Sequence, residues 1–198
     1  MTVGWSSSKF PLTYLIIAFN VLVYAYTSFL SGDIITTSQD VILRYGQVNL
    51  LVLEHGYVWQ LLTTIFVHAN IVHLVGNMFF LLIFGLRAEE LFSIREYGAI
   101  YLLSGLAGNL TTLLLGPKIV SVGASGAVFG VFGACAIYIR RAVGQSIVGA
   151  LFLSFLLLIM GADARVNIVA HVGGLVTGLL AGYLLASMRR QDMVYEYP

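Results

Sequence analysis

Ser125 stands in the stretch Gly123-Ala124-Ser125-Gly126, a lone hydroxyl between glycines where an apolar helix is about to begin. A serine hydroxyl is a weak nucleophile until a base takes its proton, so its chemistry depends on what the rest of the chain brings to it. Two other apolar segments carry candidates, His171 in one and His73 with Asn77 in another. His73 and Asn77 are four residues apart and so share one helix face. Neutral His171 is a base. The Asn77 amide, the His73 imidazole N–H and the backbone N–H of Ser125 at a helix start are donors suited to a developing oxyanion. Gly123 and Gly126 permit close approach of a substrate backbone. Together these residues describe acyl transfer. No carboxylate lies within a turn of His171 in its segment, so a Ser-His dyad is expected rather than a triad. Asn167, one turn before His171, has two readings, orienting the imidazole or capping the helix, and its place at the helix start favours the cap.

The elements that must position these residues follow from composition. Of 198 residues, 59% are hydrophobic and 10% charged, against roughly 25% charged in an ordinary soluble domain. This is the balance of an all-α integral membrane protein, read as a single domain over residues 1–198. The net charge of +1 gives no global field for nucleic acid. The lone Cys135 excludes an intrachain disulfide. Six apolar segments are expected to span the membrane: residues 11–30, 72–91, 97–115, 124–139, 146–160 and 166–188. They are too long and too uniformly apolar for barrel strands, which alternate. Residues 31–71 hold Asn49, Glu54, His55, Gly56 and Gln60 among apolar residues and read as a long, partly helical outer loop between the first two helices. Lys9, Arg87, Arg95, Arg140, Arg141, Arg189 and Arg190 then fall on one side and only Arg44, Lys118 and Arg165 on the other. The positive-inside rule places both termini in the cytoplasm of a multi-pass protein of the cell membrane.

With the arginines as inner-face markers and ~1.5 Å per residue, Ser125 lies about 22 Å above Arg140, His73 about 21 Å above Arg87 and His171 about 27 Å above Arg189. All three fall at similar height in the outer half. The fourth segment is short, about 24 Å at the same rise, so its start, Ser125, is expected below the outer surface. Ala170, Gly174, Gly178 and Gly182 recur every four residues in the last segment, as do Gly126, Gly130 and Ala134 in the fourth. Small residues on one face let two helices approach closely, which draws Ser125 toward His171.

The residues GASG at 123–126, HANIVHLVGN at 68–77 and AHVGGLVTG at 170–178, in this order and in these segments, resemble the rhomboid intramembrane serine proteases. The resemblance implies a six-helix fold, a Ser125-His171 dyad, and an oxyanion and substrate site of His73, Asn77, Gly123 and Ala124. It implies a substrate that is another membrane protein's transmembrane segment, unwound at small or helix-breaking residues and cut near the outer face within the lipid bilayer. It calls for no cofactor and no metal. His68, Trp59, Glu89, Gly126, Phe129, Gly174 and Gly178 match positions of structural support, Glu89 bracing the loop after the first helix. Two positions depart from the family. Its Trp-Arg pair reads Trp59-Gln60, removing a cation that ties the outer loop down, and Phe129 stands where Tyr is common, keeping an aromatic face for His171 without the hydroxyl.

A competing class is a small channel or transporter, or a non-catalytic rhomboid-like chaperone, in which the His and Asn residues line a polar path. A pore requires neither a serine between glycines nor a histidine at matching depth. Metalloprotease chemistry lacks its HExxH motif, and no Asp lies in any expected span for aspartyl chemistry.

Overall fold

The computed structural model describes residues 12–143, 149 and 167–195. Helix α1 (Leu12–Ser31) leads into a connection holding α2 (Gln39–Tyr45), strand β1 (Gln47–Val48), α3 (Asn49–His55), α4 (Gln60–Thr63) and the 3-10 turn Thr64–Phe66. Then follow α5 (Ile71–Leu91), α6 (Ile94–Thr112) with the 3-10 turn Leu113–Leu115, β2 (Val120–Ser121), α7 (Ser125–Val143) and α8 (Ile168–Tyr195). Among the described residues four stretches are long and apolar enough to cross a membrane, Leu12–Ser31, Ile71–Leu91, Ile94–Leu115 and Ile168–Arg189. The expected span 146–160 lies outside the described residues.

Local chemistry moves several boundaries. Helix α5 begins at Ile71 because the Asn70 side chain accepts from the His73 N–H at 2.8 Å. Helix α6 begins three residues before the expected 97. Ser93 and Glu96 form a reciprocal capping box there, with the Ser93 N–H donating to the Glu96 carboxylate at 2.7 Å. Helix α7 passes its expected end at 139 and carries Arg140 and Arg141 in its last turn. Long arginine stems let the backbone stay helical while the charge reaches water.

Close packing of α7 on α8 is the centre of the architecture. A Cβ at Gly174 would collide with the Gly126 carbonyl, one at Gly178 with that of Gly130, and one at Gly182 with that of Ala134. Helix α6 closes the same layer, since a Cβ at Gly108 would come 2.5 Å from the Ala170 carbonyl oxygen. Backbones this close leave no room for side chains, so the i+4 glycines decide which helices meet. At the other end of the bundle Arg189 donates to the Leu91 carbonyl at 2.6 Å, Tyr138 hydroxyl at 2.8 Å and Glu96 carboxylate at 2.7 Å. That one guanidinium ties the ends of α5, α6, α7 and α8 together.

Glu89 departs from its expected place. Its carboxylate accepts from the Thr13 N–H at 2.6 Å and the Thr13 hydroxyl at 2.7 Å. It therefore satisfies the first turn of α1 rather than the loop after it. The reason is position along α5: eighteen residues past Ile71, Glu89 sits about 27 Å from the loop end of its helix.

The connection between α1 and α5, expected on the outer side, is docked by buried amides. The Gln47 amide donates to the Asn109 carbonyl at 3.0 Å, and the Asn49 amide to the Thr112 and Gly116 carbonyls, both at 2.8 Å. Gln60 is fully buried. Its oxygen accepts from the Val48 N–H at 3.0 Å and its amide donates to the Leu43 carbonyl at 3.0 Å. The cation expected to be missing is thus replaced by a neutral group that both donates and accepts, and the loop is held. Trp59 beside it is half-exposed and stacks on Tyr57, ring centroids 5.9 Å apart. Gln60→Ala leaves the Val48 N–H and the Leu43 carbonyl unpaired in a buried place. The expected cost is about 1–3 kcal/mol, read as a lower thermal unfolding midpoint in detergent, and an unchanged midpoint would refute the tie.

Candidate active site

Ser125 opens α7 and His171 lies in the first turn of α8, so the glycine packing that joins the two helices also joins these side chains. The Ser125 hydroxyl and His171 Nε2 are 2.7 Å apart. The His171 ring lies over the Phe129 ring, centroids 4.7 Å apart and planes at 27°, which fixes its tilt. Phe129 needs no hydroxyl to do this. The other ring nitrogen, Nδ1, is buried with no hydrogen-bond partner among the described residues. A carboxylate there would make a triad, and the described residues supply none.

Asn167 takes the capping role. Its side-chain oxygen accepts from the Ala170 N–H at 3.1 Å while its amide donates to the Thr112 hydroxyl at 2.7 Å and the Ser121 hydroxyl at 3.1 Å. It touches the imidazole through neither group.

His73 and Asn77 approach from α5. A Cβ at Gly123 would stand 2.7 Å from His73 Cε1, 2.8 Å from His73 Nε2 and 3.8 Å from the Asn77 amide nitrogen. Gly123 holds φ +122°, which L side chains rarely adopt, so both space and backbone demand glycine here. The Asn77 amide donates one hydrogen to the His73 carbonyl at 2.9 Å, leaving its second for another acceptor. His68 is fully buried behind this pair, its ring edge-on to His73 at 5.3 Å and its Nδ1 donating to the Phe66 carbonyl at 3.3 Å.

Ala124, between Gly123 and Ser125, is fully buried, and its carbonyl accepts from the Val128 N–H at 3.0 Å.

One residue at the site carries no signal in the sequence. The Thr64 hydroxyl donates to the Ser121 carbonyl at 2.6 Å, and the Thr64 carbonyl accepts from the Gly123 N–H at 3.0 Å. Thr63-Thr64 looks like any polar turn, and only the fold shows which threonine faces the segment before Ser125.

Residues 55–188 match the family model of the Rhomboid domain. The chain is 42% identical over 134 residues to the RHOMBOID-like protein 6, mitochondrial, of Arabidopsis thaliana, covering 64% of this chain and 43% of that protein. It is 28% identical over 187 residues to the Rhomboid protease GluP of Bacillus subtilis, covering 91% of this chain and 36% of that protein. It is 27% identical over 194 residues to the Rhomboid-like protease 3 of Toxoplasma gondii, covering 89% of this chain and 72% of that protein. The chain spans about half the length or less of the first curated relatives it matches. The family match starts inside the connection between α1 and α5 and ends one residue before Arg189, so it takes in Thr64, His68, His73, Asn77, Ser125 and His171: this chain is an integral membrane protein that belongs to the rhomboid family.

Proposed function

We propose that this chain is an intramembrane serine endopeptidase that cuts transmembrane segments of other membrane proteins through an acyl-enzyme. The observation that carries the reading is the 2.7 Å contact between the Ser125 hydroxyl and His171 Nε2. For His171 to accept that proton, Nε2 must be bare and Nδ1 must hold the ring hydrogen. Ser125 Oγ attacks the scissile carbonyl while Nε2 takes the proton. The oxyanion forms beside the Ser125 N–H at the positive end of α7, the free hydrogen of the Asn77 amide and the His73 ring. His171 returns the proton to the leaving amine, then deprotonates a water that opens the acyl ester. A substrate helix must unwind for its backbone to reach Gly123, which favours segments with small or helix-breaking residues. Protease-named relatives in Bacillus subtilis and Toxoplasma gondii support the reading. In this reading the protein has six spans, the fifth at 146–160, with both termini in the cytoplasm of a cell membrane, as the arginine distribution favours. The bilayer and single-span membrane proteins are its partners.

The test is reconstitution into vesicles with a single-span model substrate. Intact protein is expected to cut it and Ser125→Ala to leave it whole; no cleavage by the intact protein, or cleavage by Ser125→Ala, overturns the proposal.

Asn77→Ala is expected to lower kcat by ~10- to 1000-fold, the range for one oxyanion donor. The fold should stay intact, since the bond lost runs to the His73 carbonyl of its own helix. Turnover and thermal unfolding measured on the same preparation check this. An unchanged kcat would leave the Ser125 N–H and His73 with the role.

A further inference from the structure

We infer that Thr64 is a positioning residue for the oxyanion side of the site, an inference that rests on the endopeptidase reading. Thr64 is almost completely buried in the 3-10 turn that ends the outer connection. It grips the segment before Ser125 at two points. Its hydroxyl donates to the Ser121 carbonyl at 2.6 Å and its own carbonyl accepts from the Gly123 N–H at 3.0 Å. From the opposite side the Asn167 amide donates to the Ser121 hydroxyl at 3.1 Å. Pairing of Gln47 with Ser121 and Val48 with Val120 holds the same segment one step earlier. Residues 121–123 are thus clamped between the outer connection and the start of α8.

The clamp divides the labour within the site. The Ser125–His171 contact is set by α7 packing on α8 at Gly126 and Gly174. Gly123 sits against His73 and Asn77 at φ +122°, a backbone that glycine adopts freely among several, so its placement depends on what holds it there. Thr64 supplies the bond to its N–H. Loss of the hydroxyl removes one tie to Ser121 and loosens the clamp, which lets Gly123 shift against His73 and Asn77. A substrate backbone lying along Gly123 is then no longer held against those donors, while serine and its base stay together. The outer connection therefore takes part in turnover through its last turn.

The experiment compares Thr64→Val, which keeps the shape without the hydroxyl, with Thr64→Ser, which keeps the hydroxyl. Each is reconstituted, and its competent sites are counted by fluorophosphonate labelling carried to completion. Per counted site, Thr64→Val is expected to turn over ~10- to 100-fold more slowly, the loss from a scissile carbonyl displaced from its oxyanion donors. Thr64→Ser is expected to match the intact protein, and the pH at which turnover falls off on the acid side is expected to stay put in both. A threonine that only supports the fold would lower the number of sites and the unfolding midpoint, leaving turnover per site unchanged. That result overturns the inference, as does Thr64→Ser slowing as much as Thr64→Val. Thr64→Ala carries the same comparison if Thr64→Val yields no labelled sites. Ser125→Ala runs beside them. Cleavage by Ser125→Ala sinks the endopeptidase reading and the clamp with it, whereas an inert Ser125→Ala with full turnover per site in Thr64→Val sinks the clamp alone.

Discussion

His171→Ala is expected to lose at least ~10⁴-fold in turnover, with Ser125→Ala as low and the double variant no lower, because a nucleophile and its base act as one unit. The geometry explains why no substitute base steps in. The imidazole Nε2 lies 2.7 Å from the hydroxyl and its ring is stacked on Phe129, so the nitrogen is aimed before substrate arrives. His73 is packed against Gly123 and edge-on to His68, on the side proposed for the oxyanion. Two readouts separate the roles. Cleavage of a single-span substrate should vanish in both variants. Labelling of Ser125 by a fluorophosphonate should vanish in Ser125→Ala and slow greatly in His171→Ala. Labelling at the intact rate without His171 would mean that another group takes the proton.

Gly174→Ala is expected to slow turnover sharply through a single added methyl. The new Cβ would stand 2.7 Å from the Gly126 carbonyl carbon and 3.0 Å from its Cα, nearer still to the carbonyl oxygen, and all of these are backbone atoms that cannot rotate away. Helices α7 and α8 must part. Alanine gains about 1 kcal/mol of helix propensity over glycine, while overpacking costs about 1–3 kcal/mol, so the net stability loss is modest. Turnover is the sensitive measure. Gly126 adjoins Ser125 and Gly174 lies one turn from His171, so a displacement of about 1 Å between the helices opens the dyad and costs ~10²-fold. Gly76→Ala on α5 is the control, because a Cβ there meets nothing within 4 Å. It should leave turnover unchanged and the midpoint equal or higher. Full turnover per labelled site in Gly174→Ala would show that the dyad does not depend on this contact.

The residues that recur with a period are legible in the sequence. Apolar runs of about twenty residues announced membrane-crossing helices, and glycines every four residues announced which faces of α7 and α8 touch. From that contact alone Ser125 and His171 were drawn together. Residues whose partners lie far along the chain were not legible. Glu89 meets Thr13 across 76 positions and Arg189 meets Glu96 across 93, and no local pattern records such a pairing.

Amino-acid order by itself determined the membrane class, the helix pair at the centre and the identity of its serine and histidine, because lipid forces helices and small residues force close approach. Tertiary structure alone decided how the outer connection is fastened. Gln60, Thr64 and Asn167 bond chiefly to main-chain groups and hydroxyls from other segments. A backbone N–H or carbonyl is the same at every residue, so which one a buried side chain meets depends on where packing delivers it. For the same reason Gln60 replaces a cation without loosening the loop, and Thr64 came to light as a residue of the site only when the segment before Ser125 was folded against it.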